Sequence, residues 1–346
     1  MPKGPILIAA ALALFATGQD HENWGTAKDE WANDFPESKA ICRRLGPPRI
    51  PAADRPTPAQ RAALKGCDSQ ALYYGPRADP AKARLCALIE VESEGEDDIG
   101  DVFHGRTILM QLYANGLGVE PNPDLATAYA CEIDGAPAEI NLRVLHMQGL
   151  KTSPEINADY CDDITSGLAM GLCTARRSEA AAIGRDARIK ALTDRLSPAA
   201  ASAYAPMKRA FDAYVVARSD GEVDQSGTAR GAFIVEEQDR LLDQYLLDLG
   251  RLLGGRWPPA TAAAAQAADA KLNASYRAAL ESNAPEGNFT TITPDLIRTT
   301  QRAWLAYRDA WLRFAAVAAP GVPRDAVLAR LTNLRTAQLD ELQATP

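Results

Sequence analysis

Groups able to make or break bonds are few and far apart along these 346 residues. The three histidines, His21, His104 and His146, are scattered, and no His-x-x-x-His, Cys-x-x-Cys or paired Cys-His spacing presents a metal. Asp162-Asp163 is an acid pair in principle, but adjacent aspartates in a loop are expected to cap helices or meet solvent rather than move protons. Gly116-Leu117-Gly118 lacks the strand and the lysine of a phosphate loop. No Gly-x-Ser-x-Gly elbow occurs. The expectation is no catalytic residue, no cofactor and no metal, in a protein that binds and is not an enzyme.

The six cysteines are the other reactive groups, and all lie between Cys42 and Cys173. An even number in a chain that reads as exported points to structural disulfides in an oxidising compartment. Cys67 and Cys86 face each other across an expected helical hairpin. Cys161 is expected to pair with Cys173, which leaves Cys131 for Cys42, although six cysteines allow 15 pairings.

Export is suggested by Met1 to Gly18, where Lys3 precedes an apolar run and then Ala16-Thr17-Gly18, the pattern of a signal peptide. No other segment approaches the roughly 20 apolar residues of a membrane span, so no stable membrane insertion is expected after its removal. The formal charge of −8 disfavours nucleic acid as a partner. From Ser178 onward 20 basic residues balance 20 acidic ones, so the acidity belongs to the first half. Its densest run, Glu90 to Asp98, reads as a solvated loop.

Composition and periodicity imply an all-α fold, since hydrophobic residues make up 47%, aromatics only 6%, and alanine is abundant. After the signal at 1–18, residues 19–60 hold five prolines from Pro47 to Pro58 and read as an extended arm with one short helix near Glu37 to Arg44. Residues 61–177 contain two similar units. Leu72-Tyr73 corresponds to Leu112-Tyr113, and Asp79 to Cys86 corresponds to Asp124 to Cys131. The second unit, with Leu109, Leu112-Tyr113-Ala114-Asn115-Gly116-Leu117-Gly118-Val119, Asp124, Ala126, Ala128 and Tyr129, resembles the SEL-type repeat, a relative of the tetratricopeptide repeat built from helical hairpins. Gly116 and Gly118 allow the tight turn, and small Ala126 and Ala128 allow close helix packing.

Residues 178–346 read as about six amphipathic helices, with starts marked by Ser197-Pro198, Trp257-Pro258-Pro259, Thr293-Pro294-Asp295 and Pro323. Pro206 is expected to kink or split the helix that begins at Pro198. Lys208 to Tyr214 resembles Gln301 to Tyr307, and Asp239 to Asp243 falls where Leu331 to Arg335 falls, which suggests two related three-helix units. Within the second, Trp304, Tyr307, Trp311 and Phe314 recur at three and four residues, one face of a helix turned to a core.

Asp269, Asn273 and Tyr276, then Gln301, Arg302, Trp304, Tyr307, Arg308 and Asp309, then Arg335 and Leu339, are similar to the motif of the LprI-type lysozyme inhibitor domain, a helical module of bacterial envelope proteins. The resemblance spans about Ala260 to Leu342. It implies an antiparallel multi-helix domain, a periplasmic or secreted location, and a protein partner, lysozyme or another peptidoglycan hydrolase, whose action is blocked. Members of the family commonly carry a cysteine shortly after Tyr-Arg-Asp and another in the last helix, and this sequence has neither. Arg302, Arg308 and Asp309 are expected to form charged pairs that fix the register of packed helices. The alternative function is a cell-envelope adaptor that uses the repeats of 61–177 for protein-protein interaction.

Overall fold

A computed structural model describes residues 23–28, 30–93, 102–153, 157–284 and 289–343. The expected signal peptide and His21 lie outside them. Among the described residues the protein is all-α, with thirteen α-helices and no strand. It divides into two compact units, Met1–Ile164 and Thr165–Pro346.

The first unit holds seven helices, α1 (Pro36–Leu45), α2 (Pro58–Ala63), α3 (Ser69–Tyr74), α4 (Pro80–Ser93), α5 (Gly105–Asn115), α6 (Pro123–Ala130) and α7 (Pro137–Gly149). The most enclosed is α5, buried from Thr107 to Ala114 and packed between α4 and α6. Gly116 ends α5 with a left-handed backbone, φ 65°. Gly118 is left-handed too, and a Cβ there would stand 2.7 Å from the Ala81 backbone nitrogen, so only glycine lets this turn approach the start of α4. Ala126 and Ala128 on α6 are buried.

Residues before α2 are more structured than an extended arm. Phe35 leads into α1, which packs on α6 and α7, and a 3-10 turn at Ala52–Asp54 precedes α2. Trp24 is buried against α1 and donates its indole N–H to Ser38 Oγ at 2.9 Å. A disulfide joins Cys42 of α1 to Cys131, with Cα atoms 5.8 Å apart and a sequence separation of 89. A second joins Cys67 to Cys86. Cys161 and Cys173 are disulfide-bonded as well, and no cysteine is free.

The second unit consists of α8 (Gly167–Thr193), α9 (Pro198–Gly221), α10 (Arg230–Leu253), α11 (Ala262–Ser282), α12 (Pro294–Ala318) and α13 (Arg324–Glu341). Their starts are chemically marked. Ser166, Ser197, Thr261 and Thr293 each accept a hydrogen bond from the backbone N–H three residues on, a cap contributing about 1 kcal/mol apiece. Two expectations are corrected. The chain divides at Ile164/Thr165 and not at 177/178, because α8 begins at the Ser166 cap and runs unbroken past Arg176-Arg177. Pro206 does not split its helix, since α9 continues to Gly221 and its contacts with α12 hold the turn that lacks a hydrogen bond.

Helix pairing in this unit follows a pattern. The principal partners are α8 with α10, α11 with α13, and α9 with α12. Contacts between α9 and α12 occur in opposite order along the two helices: Tyr204 on Phe314, Tyr214 on Tyr307, Ala217 bonded to Thr300.

Candidate functional site

Along α12 the apolar face runs inward as its spacing requires. Trp304, Tyr307, Trp311 and Phe314 are all buried. They meet rings from the preceding helices, Tyr214 stacked on Tyr307 at 5.7 Å, Phe211 against Tyr307 at 5.3 Å, and Tyr245 edge-on to Trp311 at 5.7 Å. Trp257 adds a further ring, 6.2 Å from Trp311. Such ring pairs add about 0.5–1.5 kcal/mol each beyond the area they bury. Burial first, then the neighbouring Asp248 and Tyr214, push the Tyr307 phenol well above its ordinary range.

A polar spine crosses this core. Arg335 of α13 is fully buried and grips Glu222, just past the end of α9, with both terminal nitrogens at 2.7 and 2.6 Å. Its remaining N–H reaches Gln301 Oε1 at 2.9 Å. Arg218, one turn before Glu222, binds the same carboxylate at 2.5 Å, Glu237 at 2.6 Å and Glu341 at 3.1 Å. Burial is the largest single influence and lowers the two guanidinium groups, but Glu222 and Tyr214 at both, joined by Glu237 at Arg218, together outweigh it, and both stand above their ordinary range. The network is satisfied at nearly every donor, the condition under which buried ions are tolerated.

Toward solvent the spine opens into a groove of about 370 Å³. Its lining carries five carboxylates, Glu222, Asp224, Glu236, Glu237 and Glu341, against the two guanidinium groups of Arg218 and Arg240. Phe233, 48% exposed, stands at its edge. Asp224 is fixed by the Thr291 backbone N–H at 3.0 Å and by Ser226. Burial works against its charge, but these hydrogen bonds prevail and hold its carboxyl below the usual range.

The motif residues divide between these roles. Gln301, Trp304, Tyr307 and Arg335 build the core and its spine. Tyr276 packs partly buried against that core. Asp269 and Asn273 bond each other on the exposed side of α11, at 3.1 Å. Arg302, Arg308 and Asp309 do not brace helix against helix as expected. Arg308 pairs with its own neighbour Asp309 at 2.8 Å and lies over Trp304 at 5.3 Å, while Arg302 reaches only Thr299. Adjacent residues diverge around a helix, so register is set instead by Arg335, 34 residues from Gln301 and 113 from Glu222. Sequence reading missed Arg218, Glu222 and Glu237. The one local signal was the four-residue spacing of Arg218 and Glu222, which every solvent-facing helical pair shares.

In the first unit the other residues weighed for chemistry are occupied structurally. Asp162 accepts from the Asp159 backbone, and Asp163 faces His146 Nδ1 at 2.8 Å. His104 precedes α5, 3.7 Å from Asp68. The acidic run beginning at Glu90 is not loop throughout. Glu90 to Ser93 finish α4, and Glu90 accepts from the backbone N–H groups of Ser69 and Gly105 at 2.8 and 3.0 Å. Residues 94–98 of that run lie outside the described residues. The only metal-like cluster among the described residues is Cys67, Cys86 and Glu90, whose sulfurs are joined to each other and so offer no thiolate.

Residues 260–339 match the family model described as Lysozyme inhibitor LprI. No curated protein matches the chain, and no solved structure matches it. The matched residues supply α11, α12 and most of α13, with Gln301, Arg335 and the four buried rings of α12. Residues 260–339 are thus similar to the LprI-type lysozyme inhibitor domain and lie within a longer chain that is all-helical among the described residues.

Proposed function

We propose that this chain is a non-catalytic periplasmic binding protein that inhibits a lysozyme-like peptidoglycan hydrolase. The family match at 260–339 carries the reading. The groove beside it supports a docking point, since lysozyme-like hydrolases are typically cationic and this lining has an excess of carboxylates around an exposed phenylalanine. The same reading takes α8–α10 as a diverged copy of α11–α13, a view supported by the matched pairing of α8 with α10 and α11 with α13. The expected address is supported by the signal-like leader, and no helix among the described residues is long and apolar enough to cross a membrane.

The test adds the full chain to a cationic lysozyme clearing peptidoglycan. Inhibition at sub-micromolar concentration is expected, weakened at least tenfold by Glu236→Lys together with Phe233→Ser, two exposed changes at the groove. Undiminished clearing at micromolar concentration overturns the reading and turns attention to the helical pairs of the first unit as an adaptor surface.

A further inference from the structure

A second and larger groove, of about 970 Å³, opens in the second unit where the ends of α8, α10 and α12 meet the start of α9. Its apolar lining is aliphatic, formed chiefly by Leu192, Leu196, Leu246, Leu247 and Leu253. Leu247 is 45% exposed there. Four arginines, Arg188, Arg195, Arg251 and Arg256, line the same groove, and no carboxylate does. Arg251 stands 3.7 Å from Asp248. The other three have no ion-pair partner among the described residues.

Three helix C-termini meet here, those of α8, α10 and α12, and their exposed carbonyls favour cations, which accounts for arginine at these positions. It does not account for an open leucine floor between them. Gly250 helps to keep that floor open. Glycine weakens a helix interior, yet a Cβ at this position in α10 would meet only Leu192 Cδ1, at 3.9 Å. The lining also narrows the class of ligand. No aromatic ring is present to stack on a sugar or a base, and the single hydroxyl, Ser197, is engaged in capping α9. An aliphatic chain fits the floor, and guanidinium groups bind carboxylate or phosphate in a forked geometry. The size falls in the range of small-molecule sites, about 300–1,000 Å³.

We propose that this groove binds a free long-chain acyl anion, its hydrocarbon on the leucines and its charged head among Arg188, Arg195 and Arg256. The site lies outside residues 260–339 except at Ala318 and is independent of the inhibitor reading. Concavity favours a single chain over a membrane surface, which would meet a flat or convex face.

Calorimetry on the full chain uses oleate below its aggregation concentration, with oleyl alcohol as the neutral analogue and phosphatidylglycerol vesicles as the membrane control. Saturable binding near one oleate per chain is expected, at least tenfold tighter than the alcohol and weakened by salt. Gly250→Phe, which fills the groove without changing charge, and Arg188→Ser with Arg256→Ser, which removes charge without filling it, should each weaken oleate at least tenfold. Circular dichroism confirms that the helices persist, and the arginine pair, free of partners, serves if Gly250→Phe unfolds. Oleate binding that neither change reduces, an alcohol that binds equally, or binding to vesicles alone overturns the proposal.

Discussion

The two units of this chain bury polar and apolar groups among helices by different means. Among the described residues of Met1–Ile164 the helices are short, none longer than the 14 residues of α4, and their connections are tied by disulfides and by side chains reaching across loops. Asn115 clamps the Ala158 backbone by donating and accepting at 2.8 and 2.7 Å, and Tyr113 reaches Asp54 at 3.1 Å. That pairing sits where burial, aided by Asp54, has pushed the Tyr113 phenol up to about 12. In Thr165–Pro346 every helix has 18 to 27 residues, and the interior is one aromatic seam crossed by buried ions. Short helices present too little apolar surface to hold each other unaided, so covalent and single-bond ties accumulate. Long helices carry a connected set of buried charges, Arg218, Glu222 and Arg335, whereas the buried Arg143 of the first unit donates to the backbone carbonyls of Ile133 and Asp134.

The sharpest way to break this contrast is Arg335→Met. It leaves Glu222 buried with Arg218 as its remaining partner, and the loss should be about 3–5 kcal/mol. For a unit of this size that is roughly 10 °C or more in Tm. Tryptophan fluorescence follows it in a variant with Trp24→Phe and Trp31→Phe, which leaves Trp257, Trp304 and Trp311 of the second unit as the only reporters. Adding Glu222→Leu should recover much of the loss, since an apolar pair needs no solvation. An unmoved transition in the single variant would show that the spine is not what holds the seam.

Cys42→Ser with Cys131→Ser should cost about 2–5 kcal/mol in the first unit, because the bridge closes a long loop. The readout is proteolysis of the segment around α1, which should quicken while the second unit's melting stays fixed. Equal sensitivity of both units would erase the distinction drawn above.

The smallest effect tests whether every buried charge in the second unit stabilises it. Asp248 accepts from Gln244 at 2.8 Å and from Arg330 at 3.2 Å, but burial outweighs these partners and raises its carboxyl above the ordinary 3.8. The folded state then binds this proton more tightly than the unfolded one. Its contribution falls as pH rises from about 3.8 through the folded value and stays lower above it. Asp248→Asn should therefore raise stability at pH 7 by less than about 1 kcal/mol and flatten the difference between pH 4 and pH 7 in urea titrations. Lower stability at pH 7 would mean that the attraction of Arg330 dominates.

Much of this architecture was legible because its signals are local. Ser197-Pro198 and Thr293-Pro294 announce helix starts through chemistry confined to a few residues, and the stripe from Trp304 to Phe314 declares an inward face by spacing alone. The spine was not legible. Glu222 lies in Ser219-Asp220-Gly221-Glu222-Val223-Asp224, a polar stretch that reads as a solvent-facing helix end, and what buries it is an arginine 113 residues away. The groove around Phe233 and the leucine groove were hidden for the same reason, since each is made by helix ends that only the fold brings together. Pro206 shows the converse, a strong local signal overruled by tertiary packing.

Tyr214 stacked on Tyr307 marks a seam that the family match does not respect. The matched residues contribute one side of it and residues before 260 contribute the other, including Phe211, Tyr245 and Glu222. Excising 260–339 would bare the rings of α12 and strand the guanidinium of Arg335 without its carboxylate. Here the limits of recognisable ancestry and the limits of the folding unit are different lines, and a fragment trimmed to the former would expose a sticky, charged interior.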